Sequence, residues 1–254
     1  MPITLSPKDV IKKAYLKQKL TDKEFESFKK HLESFQEATD ENESEEYNKN
    51  LITEFLNNMG YADTYKINTS GRVDLAIYKN NTPEVLIEAK SINNKSEMIK
   101  HDSLNKKSFQ EAILYYMREK IKNKNFSIRH IIITNNTEWF IFDATEINKI
   151  ATNKRVERLY NEFEVEQTLF SQKTDEFYKH LGIILKDDDL LKSIRFARFY
   201  LKDKQTNTQL KNIYKLLSPT HLLKLYSEDD SNTLNKNFYY ELLHIMGLEE
   251  SKEG

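Results

Sequence analysis

The sequence predicts an α/β fold: a mixed central sheet with a helix on each side, preceded by N-terminal helices and followed by an all-helical C-terminal region. Three observations carry that prediction. Two short apolar runs, VDLAIY and EVLIEAKS, are joined by the turn-like KNNTP. A second pair of apolar runs, RHIIIT and EWFIFD, flanks NNT. Around and after them the apolar residues recur at three to four positions, the spacing of one helix face.

Composition sets the limits. A chain of 254 residues is long enough for one large domain or two smaller ones. Hydrophobic residues make up 38% and aromatic residues 11%, enough to build a core and to argue against disorder. The absence of cysteine excludes a disulfide framework and a Cys-ligated zinc, and fits a reducing cytoplasm. The opening MPITLSPKDV lacks the apolar core of a signal peptide, and no run is long enough to span a membrane. The expectation is a cytoplasmic protein without a membrane partner. Net charge is −1, but it is unevenly spread: residues 21–54 carry −7, residues 90–130 carry +6 and residues 183–224 carry +5. Local basic stretches on a near-neutral chain suit a nucleic-acid binder and also ordinary solvated helices.

The elements follow in order. PKDVIKKAYLKQKL reads as a helix with Pro7 in its first turn. TDKEFESFKKHLESFQEA reads as another, with Thr21 and Glu24 as a capping box and Phe25, Phe28, Leu32 and Phe35 on one face. After the acidic break TDENESEE, Tyr47, Leu51, Ile52, Phe55 and Met59 form a helical stripe that ends at Gly60. TYKINT is a strand, then come the two charged runs as strands over 72–79 and 84–91. NKKSFQEAILYYMREKIK is a helix with Phe109, Ile113, Tyr116 and Met117 inward. The runs around NNT are two more strands, with Trp139 in the sheet core. Everything after about residue 145 reads as helix, including KSIRFARFYLKDK and NKNFYYELLHIMG. The implied division is residues 1–40, N-terminal helices; 41–180, the α/β domain; and 181–254, a helical connector.

The charges inside the first pair of runs need a reason. Side chains alternate along a strand, so Glu88 and Lys90 share one side with Ala89 opposite. Pairing the two runs brings Asp74 near Glu88 and Lys90. Converging carboxylates repel, and a hard divalent cation removes the repulsion. Mg²⁺, or Mn²⁺ in its place, polarises a phosphoryl oxygen and lowers the pKa of a water. A lysine beside it stabilises developing negative charge. Asp, Glu and Lys together suit metal-assisted phosphodiester hydrolysis.

GRVDLAIY followed by LIEAKS resembles the core of the PD-(D/E)xK nuclease superfamily. The resemblance implies a sheet sandwiched by helices, with Asp74 as the first acid, Glu88 as the second and Lys90 as the catalytic lysine. Asp74, Glu88 and the carbonyl of Ala89 would hold the metal. Val73 stands where many members have proline. Members with Q-x-x-x-Y on the next helix suggest Gln110, although it precedes Tyr115 by five. A glutamate of the first helix often joins the metal; here Glu46 is favoured, then Glu45, with Glu43 also on offer. EAILYYMREK, RHIIITNNTEWFIFDAT and NKNFYYELLHIMGLEE look like the amino-terminal nuclease region of single-chain type IIG restriction–modification enzymes. That likeness implies a site-specific deoxyribonuclease of bacterial defence. Its partners would be double-stranded DNA, with dimerisation on it, and methyltransferase and target-recognition domains beyond GLEESKEG. The alternatives are a catalytically silent nucleic-acid-binding or scaffold module on the same fold, and a repair-type or stand-alone nuclease.

Lys95, Lys100, Lys106 and Lys107 follow the lysine of the motif and would meet the DNA backbone. Lys192, Arg195, Arg198 and Lys202, on one side of a helix, would form a second DNA contact, a domain-facing surface or a solvated stripe. The six histidines show no metal-ligand spacing, though His101 and His130 lie in the basic stretch.

Overall fold

β-Branched and aromatic runs build the sheet, and helical-period stretches cover both its faces. A computed structural model of the chain describes residues 1–70, 73–167, 174–187 and 189–224. The strands are β1 (Ile3–Leu5), β2 (Lys66–Ser70), β3 (Val73–Lys79), β4 (Thr82–Ala89), β5 (His130–Thr134), β6 (Glu138–Asp143) and β7 (Arg195–Tyr200). They form one sheet in the order β1-β7-β6-β5-β4-β3-β2. The pairs β1–β7 and β4–β5 are parallel and the others antiparallel, so the sheet is mixed.

Alternation along the strands divides two apolar layers. Leu86, Ile131, Ile133, Phe140, Phe142 and Phe196 face one side. Helices α5 (Lys107–Met117), α6 (Ala144–Ala151), α7 (Lys154–Gln167) and α8 (Thr174–Asp187) cover that side. Ile87, Ile132, Trp139, Ile141 and Phe199 face the other. There they meet α3 (Asp22–Ala38), α4 (Glu45–Leu56) and α9 (Asn207–Leu217). The expected order over residues 45–144, helix, three strands, helix, two strands, is the order observed. Thr21 caps α3 as expected: its hydroxyl accepts from Glu24 N at 3.2 Å while the Glu24 carboxylate takes the Thr21 amide. Trp139 is buried in the sheet core and stacks on Phe199 with ring centroids 5.9 Å apart.

Several expectations are corrected. The C-terminal region is not all-helical, because RFARFY is β7. Phe196 packs into one layer while Ala197 and Phe199 pack into the other, a two-faced burial that a central strand provides. Arg198 is therefore not on a helix face; its guanidinium pairs with Glu138 on β6. Strand β1, which its three residues did not signal, closes the sheet beside β7. Residues 3–5 and 195–200 thus extend the same sheet as the hairpin, across the segment borders at 40 and 180. The first helix is two, α1 (Pro7–Val10) and α2 (Lys13–Lys17), because Ile11 and Lys12 are extended. Tyr47 is exposed and not inward; Asn48 takes the buried position and accepts from Asn136 Nδ2 at 2.8 Å. The stretch NKNFYYELLHIMG and the GR before β3 lie outside the described residues.

The β3–β4 link is shorter than KNNTP. Asn80 and Asn81 alone turn the chain, with φ of 50° and 65°, and Thr82 and Pro83 already belong to β4. Asparagine tolerates this left-handed region better than other non-glycine residues. The tight turn pairs Lys79 with Thr82 and Tyr78 with Pro83, and a β-bulge between Tyr78 and Ile77 then shifts the register by one residue, to Ile77 with Val85 and Leu75 with Ile87. One step further along the pair, Asp74 and Glu88 come level at its open end.

Candidate functional site: a charged cleft at the end of the hairpin

Three elements supply the cleft. Strand β4 runs from VLI into Glu88, Ala89 and Lys90, buried on one flank by β3 and on the other by β5. The amide of Lys90 continues the parallel ladder by donating to Thr134 O at 2.9 Å, which holds the lysine in line after the strand ends. Strand β3 brings Asp74, whose Oδ2 accepts from the amide of Ala89 at 3.1 Å. Helix α4 starts at the Ser44 cap, which accepts from Tyr47 N, and the buried Asn48–Asn136 contact ties it to the β5–β6 turn. That anchoring sends Glu45 and Lys49, one helical turn apart, toward the strand ends.

The charges are interlocked. Lys90 Nζ lies 2.6 Å from Glu88 Oε1 and 2.6 Å from Glu111 Oε2 on α5. Lys49 Nζ lies 2.8 Å from Asp74 Oδ1 and 3.5 and 3.6 Å from the carboxylates of Glu45 and Glu46. Glu88 Oε2 is buried and no donor group reaches it among the described residues, while the Glu111 carboxyl lies within hydrogen-bonding reach of the Glu88 side chain. Burial, then Asp74 and Glu111, push the Glu88 carboxyl well above the usual carboxylate range, with Lys90 pulling the other way. Burial opposes the charge on Lys90, but Glu88 and Glu111 outweigh it and hold the ammonium protonated. Lys49 follows the same logic: burial works against its charge, and Asp74, Glu45 and Glu46 prevail. Burial also raises the Glu45 carboxyl, which feels Lys90 and Asp74 in opposite directions.

The structure therefore brings Asp74, Glu88, Ala89 and Lys90 together. Of the first-helix glutamates, Glu45 is turned toward this group, while the Glu46 side chain is 68% exposed and reaches only Lys49. Gln110 is half-buried and donates to Asn105 Oδ1 at 2.9 Å, away from the strand ends. Lys107 pairs with Glu97 at 3.2 Å; Lys95 and Lys100 are exposed and Lys106 half-buried. His101 is exposed, but His130 is buried and bonds through Nδ1 to Leu222 O, so it offers nothing to a surface ligand.

Two residues of the cleft went unread in the sequence. Glu111 carries a second carboxylate to Lys90, and its signal was a four-residue spacing to Tyr115, the spacing that Gln110 lacks. Tyr115 shares that face of α5, and burial followed by the charge of Glu88 raises its hydroxyl pKa. Lys49 had no sequence signal, since an ammonium four residues after a helix start is common.

A divalent cation fits the donor set in one respect: the buried Glu88 Oε2, which no donor group reaches among the described residues, lies in a group with Asp74 and Glu45, all hard oxygen donors. Among the described residues no three His, Cys, Asp or Glu stand grouped as a metal site, and Lys49 and Lys90 pair with Asp74 and Glu88. A cavity of about 590 Å³ opens at the other end of the sheet, near His130, Asp143 and Arg195. Volume marks shape; the paired acids and lysines mark chemistry, and they stand at the hairpin end. Among the described residues, no helix is long and apolar enough to cross a membrane.

A family model matches residues 5–230, and the chain belongs to that family, described as a domain of unknown function (DUF7149). No curated protein and no solved structure matches the chain.

Proposed function

We propose that this DUF7149 protein is a divalent-metal-dependent phosphodiesterase acting on DNA, the nuclease part of a restriction–modification enzyme. The observation that carries the reading is the meeting of Asp74, Glu88 and Lys90 at the open end of one hairpin, with a buried carboxylate oxygen that no donor group reaches among the described residues. Asp74, Glu88, the Ala89 carbonyl and Glu45 are the residues that would hold Mg²⁺ or Mn²⁺. The cation supplies Lewis acidity, activating water and drawing charge from a phosphoryl oxygen.

The chain's own residues do the rest. Lys90, kept charged by two carboxylates, is a donor for negative charge developing on the phosphate. Glu111 holds that ammonium in place from α5 and is a positioning residue. The amide of Ala89 fixes Asp74, so the first acid is aimed by backbone and not left to rotate. Exposed Lys95 and Lys100 supply sequence-independent attraction to the DNA backbone. A methyltransferase and a target-recognition domain in the same polypeptide, and dimerisation on DNA, belong to this reading.

The lysine occupancy of the acids favours one second reading, a silent DNA-binding module on the same fold. Supercoiled plasmid with Mg²⁺ or Mn²⁺ separates the two. The nuclease reading expects nicking or linearisation that Asp74→Ala and Lys90→Ala each abolish. DNA binding without cutting in either metal would support the silent module, and cutting that survives both substitutions would sink the assignment of the site.

A further inference from the structure

We infer that Lys49 is the resident counter-ion of Asp74 and competes with a divalent cation for that carboxylate. The inference rests on reading the cleft as a cation site. Both Asp74 oxygens are already engaged: Oδ2 by the Ala89 amide at 3.1 Å and Oδ1 by Lys49 Nζ at 2.8 Å. The two side chains are 13% and 14% exposed, so water screens the pair only in part. Glu45 and Glu46 complete a ring of acids around the same ammonium at 3.5 and 3.6 Å.

An ammonium 2.8 Å from Oδ1 repels a divalent ion on the same carboxylate. A cation binding Asp74 through Oδ1 has to displace Lys49 Nζ, and one binding through the remaining lone pair of Oδ2 is held against that repulsion. The lysine stem is flexible, and the neighbouring Glu46 is exposed, so the ammonium has somewhere to go. Lys90 does not compete for Asp74, since its partners are Glu88 Oε1 and Glu111. Lys49 thus lets acids cluster in the folded, cation-free protein and weakens cation binding in return.

The test titrates Mn²⁺ into metal-free protein and follows the loss of the free-ion paramagnetic resonance signal. Lys49→Met is expected to bind Mn²⁺ about tenfold more tightly, the scale of a lost contact between partly buried charges. Lys66→Met, which removes an exposed charge from the other end of the β2–β3 ladder, is expected to leave the affinity as it was. Without metal, Lys49→Met should lower the Tm, and should lower it far less in an Asp74→Asn background. Lys49→Gln gives the same comparison should the methionine variant fold poorly. Equal or weaker Mn²⁺ binding by the Lys49 variants, with binding still dependent on Asp74 and Glu88, would overturn this inference alone. No Mn²⁺ binding by any of the proteins would overturn it together with the cation reading of the cleft.

Discussion

Glu111 on α5 and Lys90 beyond β4 face each other at 2.6 Å, and Glu88 completes the pair as a buried triad. Two acids and one base leave the cluster short of positive charge. Burial first, and then the neighbouring Asp74 and Glu111, raise the pKa of the Glu88 carboxyl, while Glu88 and Glu111 overcome burial to keep Lys90 protonated. The same contact positions the lysine and ties the helix to the sheet.

Glu111→Ala should therefore affect both stability and activity. Removing Glu111 takes one charged contact from Lys90 but leaves it paired with Glu88 and relieves the repulsion between the two acids, so the cost is expected to be about 1 kcal/mol. Urea denaturation is expected to show that loss, and Glu111→Gln, which keeps the shape and a polar contact, a smaller one. On the proposed nuclease reading, plasmid cleavage should fall in both variants while DNA binding persists. Unchanged stability in Glu111→Ala would show that the ion pair contributes nothing net.

The fold should weaken in mild acid through two histidines at the other end of the sheet. The rings of His130 and His221 lie 5.0 Å apart. Burial lowers His130 to about 4, despite the Leu222 carbonyl, and burial and then His130 lower His221 to about 3. Both are neutral in the fold, whereas in the unfolded chain they take up protons near pH 6.5. Their contribution is complete above pH 6.5 and is lost as pH falls toward 4. For His130 alone, moving from pH 7 to pH 5 should cost about 2 kcal/mol. Urea midpoints at the two pH values measure it, and His130→Gln should flatten the slope. A slope that His130→Gln leaves intact would assign the acid sensitivity elsewhere.

Gly182, inside α8, marks a close approach between two helices. A Cβ there would stand 3.0 Å from Gln110 Nε2 and 3.6 Å from Asn105 Oδ1. Asn105 also donates to the Gly182 carbonyl at 2.8 Å. Alanine gains about 1 kcal/mol of helix propensity over glycine, and crowding of the Gln110 amide offsets it. Gly182→Ala alone is expected to be nearly neutral in thermal unfolding. In a Gln110→Ala background the same change should stabilise, because the obstacle is gone. Equal effects in both backgrounds would mean that Gln110 does not limit the approach.

Much of this was legible along the chain. The hairpin, the capped α3, the inward face of α5 and the β5–β6 pair follow from local periodicity and turn chemistry, which neighbouring residues carry by themselves. The RFARFY strand did not. Its alternating aromatics and arginines suit a helix face as well as a strand, and pairing with β6 and β1 decides it. Asp74, Glu88 and Lys90 stood out because charge inside apolar runs is costly enough to need a reason.

Sequence by itself determined the α/β order of residues 45–144 and brought one acid and an E-x-K to the same end of a hairpin, while the bulge between Ile77 and Tyr78, which the sequence did not signal, brings Asp74 level with Glu88. Tertiary structure decided which other charges join them. Glu111 reaches Lys90 because α5 packs across the sheet, and Lys49 reaches Asp74 because the Asn48–Asn136 contact sets the rotation of α4. It also leaves Glu46, the glutamate that the resemblance favoured, more exposed than Glu45, since a helix turns two neighbours about 100° apart.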